Sequence, residues 1–190
     1  MVERELILGG QKSGKSRRAE QRAADWLALS PANKAVLIAT AQPLDDEMRE
    51  RIARHQADRA ARVPGLSTVE EPLALATAVR MHSAPDTLVV VDCLTLWLTN
   101  LLMPAGWERK MPQWPVQIAH PAMFLTSAIS EATGPLVLVG NEIGMGVIPM
   151  GRDVRGFVDA LGRLNQDVAG ACDRVTLMVA GLPLILKGPA

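Results

Sequence analysis

Gly9-Gly10-Gln11-Lys12-Ser13-Gly14-Lys15-Ser16 is the stretch on which the reading of this chain turns. It fits the phosphate-loop pattern G-x-x-x-x-G-K-[ST]. Glu5-Leu6-Ile7-Leu8 before it is a short apolar run that reads as a buried strand, and Arg17 to Leu27 after it is a strong helix former. Strand, glycine loop and helix in that order is the setting the pattern requires. The physical need is to wrap triphosphate oxygens in backbone N–H groups, which bulky side chains would block. Lys15 then supplies a cation for the β- and γ-phosphates, and the Ser16 hydroxyl a ligand for Mg²⁺. Gly9, Gly10, Gln11, Lys12, Ser13 and Gly14 are the expected backbone cradle.

Outward from that loop, apolar runs rich in β-branched residues alternate with helical patterns. Strands are expected at Leu6–Leu8, Lys34–Thr40, Ser67–Glu70, Thr87–Asp92, Pro135–Gly140, Arg174–Ala180 and Leu184–Lys187, with a tight turn over Gly181 to Pro183. Helices are expected over 15–29, 45–59, 72–82, 94–102, 116–132 and 152–170. Continuous apolar strands separated by helices predict a doubly wound, mostly parallel α/β sheet with an antiparallel C-terminal edge strand. The 190 residues suit a single nucleotide-binding domain over 1–190. Met103 to Pro115, punctuated by Pro104, Gly106 and Pro112, is the one obvious loop and carries Trp107 and Trp114.

Composition narrows the partners. Lys+Arg and Asp+Glu balance at 20 each, so no basic face for nucleic acid is implied. Tyrosine is absent and aromatics are 3%, which argues against a base-stacking platform. Cys93 and Cys172 form no C-x-x-C pair and read as buried free thiols. The apolar stretches are too polar (Thr87–Met103) or too short (Val175–Leu186) to span a bilayer, and Glu3-Arg4-Glu5 does not open a signal peptide. A soluble cytoplasmic protein is expected.

Four apolar residues precede Asp92, the pattern of a carboxylate that reaches Mg²⁺ beside a phosphate loop. The alternative is that Asp92 caps the helix beginning near Leu94; the glycine loop favours the metal role. In the charged helix after the second strand, Arg51, His55 and Arg59 fall at i, i+4 and i+8 and share a face that would attract phosphate. On spacing alone, a solvated helix with a surface histidine is the simpler reading. Asn141-Glu142-Ile143-Gly144-Met145-Gly146 follows a strand end, where α/β sheets bind ligands, and is equally an ordinary glycine-rich turn.

Taken together the motifs resemble the bifunctional adenosylcobinamide kinase/adenosylcobinamide-phosphate guanylyltransferase family of cobalamin biosynthesis. The resemblance runs over nearly the whole chain. It rests on the glycine loop, Ile38-Ala39-Thr40-Ala41, Asp45-Asp46-Glu47-Met48, Arg51-Ile52 through His55, and Thr68-Val69-Glu70-Glu71-Pro72. It continues in Asp92-Cys93-Leu94-Thr95-Leu96-Trp97, Thr99-Asn100-Leu101-Leu102, Asn141 to Gly146 and Gly162-Arg163-Leu164-Asn165-Gln166. The resemblance implies two reactions. ATP or GTP phosphorylates adenosylcobinamide, and GTP then gives its guanylyl group to an enzyme histidine, from which adenosylcobinamide phosphate accepts it. The family's nucleophile falls on His55, which reverses the simpler reading of that residue. Guanine-nucleotide contacts are implied around Ile38, Ala39, Thr40, Gln56, Ala57, Asp58, Arg59, Glu70 and Asp92, and a homotrimer is implied. The Arg-Pro and Trp that commonly follow the histidine in the family are absent here. Two rivals stand beside this reading: a simple phosphate-loop small-molecule kinase, and a nucleotide-binding switch module with little turnover.

Overall fold

The computed structural model describes residues 3–103 and 116–188. The expected loop from Met103 to Pro115 lies, apart from Met103, outside the described residues. Strands β1 (Arg4–Gly9), β2 (Lys34–Ala39), β3 (Leu66–Glu70), β4 (Thr87–Asp92), β5 (Leu136–Val139), β6 (Arg174–Val179) and β7 (Leu182–Lys187) form one sheet. Its order is β3-β2-β4-β5-β1-β6-β7. All neighbours pair in parallel except β6 and β7, which form an antiparallel hairpin. The doubly wound sheet with an antiparallel edge is therefore as expected.

The alternation of side chains along each strand builds two cores. On one face Leu6, Leu8, Val89, Val91, Leu136 and Leu138 pack under four helices: α3 (Leu75–His82), α4 (Leu94–Leu102), α5 (Val116–Glu131) and α6 (Arg152–Ala171). On the other face Ile7, Leu37, Leu88, Val90, Val137 and Val139 pack against Ala19 and Ala23 of α1 (Lys15–Leu29). The remaining helix, α2 (Asp46–Arg62), buries only Arg59 along its 17 residues. It has no apolar face with which to join either core. Among the described residues no helix is long and apolar enough to cross a membrane.

Three boundaries differ from expectation for local reasons. Helix α2 continues through Ala60-Ala61-Arg62 instead of ending at Arg59, because Arg62 finds a partner on α1 (below). Helix α3 begins at Leu75, not residue 72, because the Glu71 carboxylate accepts from the Leu73 and Ala74 N–H groups at 2.9 and 2.7 Å and holds a turn there. Pro183 lies inside β7, opposite Met178, and the turn is at Ala180 and Gly181, which both have positive φ. A proline is tolerated because β7 is an edge strand.

Candidate active site

The glycine loop leaves β1 between β5 and β6, at the carboxyl end of the parallel strands, where ligands bind in such sheets. Two glycines shape it. A Cβ on Gly9 (φ 154) would lie 2.6 Å from both the Met178 carbonyl oxygen and the Ser13 hydroxyl. Gly14 sits at the N-cap of α1 in the left-handed region (φ 100) with no side-chain cap. The first N–H groups of α1 are thus left for an external acceptor, the arrangement that favours anions. Lys15 is buried, and its Nζ donates to the Gly10 carbonyl at 2.6 Å, with the Ser13 hydroxyl at 3.5 Å. Burial pulls the Lys15 pKa below its ordinary value, against the opposing pull of Cys93 and Asp92.

Asp92 closes β4 beside this loop and lines the same cavity as Ser16. Burial raises its pKa, opposed by the nearness of the Ser16 hydroxyl, the Arg59 guanidinium and the His55 ring. The cap of α4 is not Asp92: Cys93 occupies the N-cap position, its Sγ accepting from the Leu96 N–H at 3.5 Å. The capping alternative for Asp92 therefore falls, and its carboxylate is turned to the loop. Burial, aided by Asp92, pushes the Cys93 thiol up to about 11, so it stays protonated and unreactive near neutral pH.

A cavity of about 580 Å³ opens over these groups, a size suited to a nucleotide. Gln11, Lys12, Ser13, Gly14, Lys15 and Ser16 line it from the loop, and Ala39 and Asp92 from the strand ends. His55, Gln56 and Arg59 line it from α2, and Glu70 from the end of β3. The structure thus gathers one cavity wall from residues far apart in the chain.

Other expected residues stand elsewhere. Gly9 and Gly10 do not line the cavity; Gly9 is buried, and the Gly10 carbonyl accepts from Lys15. Ile38 and Thr40 are fully buried and do not line the cavity. The Thr40 hydroxyl donates to the Cys93 carbonyl at 2.7 Å and accepts from the Cys93 N–H at 2.9 Å, so it fastens the end of β2 to the residue after Asp92. Ala57 and Asp58 lie on the exposed side of α2, with Asp58 3.8 Å from Arg62. Glu142 does not line the cavity either. Its N–H donates to the Gly9 carbonyl at 3.0 Å and its carboxylate accepts from the Gly144 N–H, which anchors the glycine-rich turn to the phosphate loop. Asn141 does reach the cavity.

Glu47, Met48, Ile52 and Arg54, which carry no expected site role, also line the cavity from α2. A signal is available. A helix whose polar residues go all round has no core to face, and Arg51, Arg54 and His55 share a side at i, i+3 and i+4.

The family model described as cobinamide kinase/cobinamide phosphate guanyltransferase (CobU) matches residues 5–186. The chain belongs to this family. Among its relatives, the bifunctional adenosylcobalamin biosynthesis protein CobP of Pseudomonas aeruginosa is 46% identical over 186 residues, covering 97% of this chain and 98% of that protein. The bifunctional adenosylcobalamin biosynthesis protein CobU of Salmonella typhimurium is 38% identical and that of Escherichia coli 36%, each over 187 residues, 96% of this chain and 98% of the relative. Every residue that lines the cavity lies within the span of 5–186 matched by the family model.

Proposed function

We propose that the chain, as one domain over 1–190, is an enzyme that phosphorylates adenosylcobinamide with ATP or GTP and then guanylylates the product from GTP through His55. The observation that carries this reading is the joint lining of one cavity by Lys15, Ser16 and Asp92 on one side and His55 on the other. Phosphoryl transfer to a hydroxyl asks only for positioning and charge stabilisation. Lys15 and the N–H groups at the start of α1 are suited to hold the triphosphate for it.

Guanylyl transfer needs a side-chain nucleophile. His55 and Cys93 both line the cavity, and protonated Cys93 is the weaker candidate. An imidazole nitrogen of His55 attacks the α-phosphorus of GTP. The bond from that phosphorus to the bridging oxygen breaks, and pyrophosphate leaves. A phosphate oxygen of adenosylcobinamide phosphate then attacks the same phosphorus and displaces the histidine. Arg59, one turn beyond His55, and Arg51, one turn before it, are suited to hold the phosphates. Gln56 and Glu70, joined by a 3.3 Å hydrogen bond, are suited to contact the base.

The Ser16 hydroxyl and Asp92 carboxylate fit Mg²⁺, being hard oxygen donors. Among the described residues no cluster of three or more His, Cys, Asp or Glu is placed to cage a metal. A site completed by substrate phosphates is what Mg²⁺ ordinarily uses. When bound there, the ion would neutralise charge developing on the phosphates. We further read the protein as cytoplasmic and homotrimeric. Exposed Leu182, Leu184 and Leu186, which share one face of edge strand β7, support a covering copy.

The direct test is incubation of the protein with α-labelled GTP. Label should stay on the protein as a phosphoramidate, labile in acid and stable in alkali, and should move to adenosylcobinamide phosphate on its addition. No protein-bound label, with phosphorylation of adenosylcobinamide present, would leave only the simple kinase.

Asp92→Asn separates metal binding from folding. Burial raises the carboxyl's pKa in the folded chain, so the ionised form costs stability above that pKa. Removing the charge should therefore leave the nucleotide-free melting temperature at high pH at or above wild type, the difference closing as pH falls and the wild-type carboxyl is protonated. Turnover should drop about 10–100-fold. A sharply lower melting temperature with turnover intact would show Asp92 to be structural.

A further inference from the structure

We infer that Glu20 is a positioning residue for the guanylyl-transfer half of the reaction, fixing the helix that carries His55 against the helix that carries Lys15 and Ser16. The inference rests on the two-step reading above. It begins from α2, which presents no buried apolar side chain to hold it in place. Most helices in a folded protein are secured by an apolar face. This one is secured by polar contacts concentrated in its last two turns.

Glu20 is the hub of those contacts. It is 4% exposed and lies one turn beyond Ser16 on α1. Arg62 forks onto both carboxylate oxygens, with Nε at 2.8 Å from one and Nη2 at 3.2 Å from the other. Such a fork fixes direction as well as distance. The Arg62 pKa is raised, first through this hydrogen bond. Arg59 Nε stands 3.9 Å from the same carboxylate, and Arg59 Nη1 donates to the Thr68 hydroxyl of β3 at 3.2 Å. Just past the helix Val63 is buried against the α1 side of the sheet. Val63 therefore pins the end of α2, and Glu20 sets the direction in which the helix leaves that pin. His55 lies one turn before Arg59 and two before Arg62, so its position over the phosphate loop follows from that direction.

The two reactions should then respond differently. The phosphoryl step draws on Lys15, Ser16 and Asp92, none of which is carried by α2. The guanylyl step needs a nucleophile held on α2 within bonding reach of the α-phosphorus, and misplacement of a reacting group by about 1 Å can cost on the order of a hundredfold.

The test uses the full chain as Glu20→Gln, Glu20→Asp and Arg62→Gln, with His55→Ala as reference. Glu20→Gln keeps the volume and loses the charge. Arg62→Gln breaks the fork from its more exposed side, at a residue that does not line the cavity, and decides the matter if Glu20→Gln does not fold. Three quantities are read: single-turnover labelling from saturating α-labelled GTP, the Kd for GTP, and phosphorylation of adenosylcobinamide. Glu20→Gln and Arg62→Gln should each slow labelling at saturating GTP about tenfold or more, with phosphorylation held within about threefold, a kcat-type loss. Glu20→Asp should recover part of the labelling rate. Labelling at the wild-type rate in folded variants, or labelling and phosphorylation falling together, overturns the inference while the histidine reading stands. Label persisting in His55→Ala overturns both.

Discussion

Lys15→Ala is expected to slow both reactions by about a hundredfold or more, the scale of losing one preorganised charge-stabilising group. The ammonium is poised within the loop, donating to the Gly10 carbonyl at 2.6 Å. Burial strips water from this charge and so lowers its pKa, and phosphate oxygens entering the cavity would replace the lost solvation. Alanine removes the ammonium and its bond to the Gly10 carbonyl, while the glycine backbone and the left-handed Gly14 entry into α1 remain. Triphosphate binding should weaken less than turnover, since the cation matters most where charge develops. The measurement is the rate of each step taken separately, with a melting curve to establish folding. Near-normal rates for both steps would end the idea that one phosphate loop serves both reactions. Loss of only the phosphoryl step would place GTP elsewhere during guanylylation.

The sheet is legible in the sequence because parallel strands are buried on both faces. An apolar–polar alternation is unnecessary when Leu88, Val89, Val90 and Val91 are each buried, alternately in one core and the other. The glycine loop is legible because its backbone demands are local: Gly9 and Gly14 carry conformations that a side chain would resist. Asp92 is ambiguous for a physical reason. An acid after a strand and before a helix suits a cap and a metal ligand equally. The structure removes the cap reading by placing Cys93 in the N-cap position, and Asp92 lines the cavity beside Ser16.

What sequence could not supply is how α2 is held. Glu20 and Arg62 are 42 positions apart, on helices with no shared pattern. Their pairing arises where the α1 side of the sheet leaves room for a charged helix. For the same reason the sequence places the end of α2 at Arg59, short of its true end at Arg62: with no apolar period, nothing in Ala60-Ala61-Arg62 says where the helix stops. Ile38 and Thr40, implied as contacts by the family resemblance, are interior residues, and the Thr40 hydroxyl is used in joining β2 to Cys93. Ala39 and Ala41, next to them in the chain, line the cavity.

His55→Ala should abolish labelling from α-labelled GTP while leaving phosphorylation of adenosylcobinamide measurable. Loss of the nucleophile removes the route to a covalent intermediate, and no neighbour is suited to take over. Cys93 is held protonated with a pKa of about 11. Lys15 is turned onto the Gly10 carbonyl and is needed on the phosphates. A phosphoramidate on lysine would share the acid lability of one on histidine, so adduct chemistry alone cannot name the residue and the variant must. Imidazole loss should not unseat α2, because its holding contacts are made by Gln56, Arg59 and Arg62. The kinase step should therefore persist, being a direct transfer between nucleotide and hydroxyl. Label retained by His55→Ala would identify Lys15 or another side chain as the nucleophile. Loss of both activities in a folded variant would mean instead that His55 helps to bind a group common to the two steps, and that the histidine acts on the phosphates without being modified.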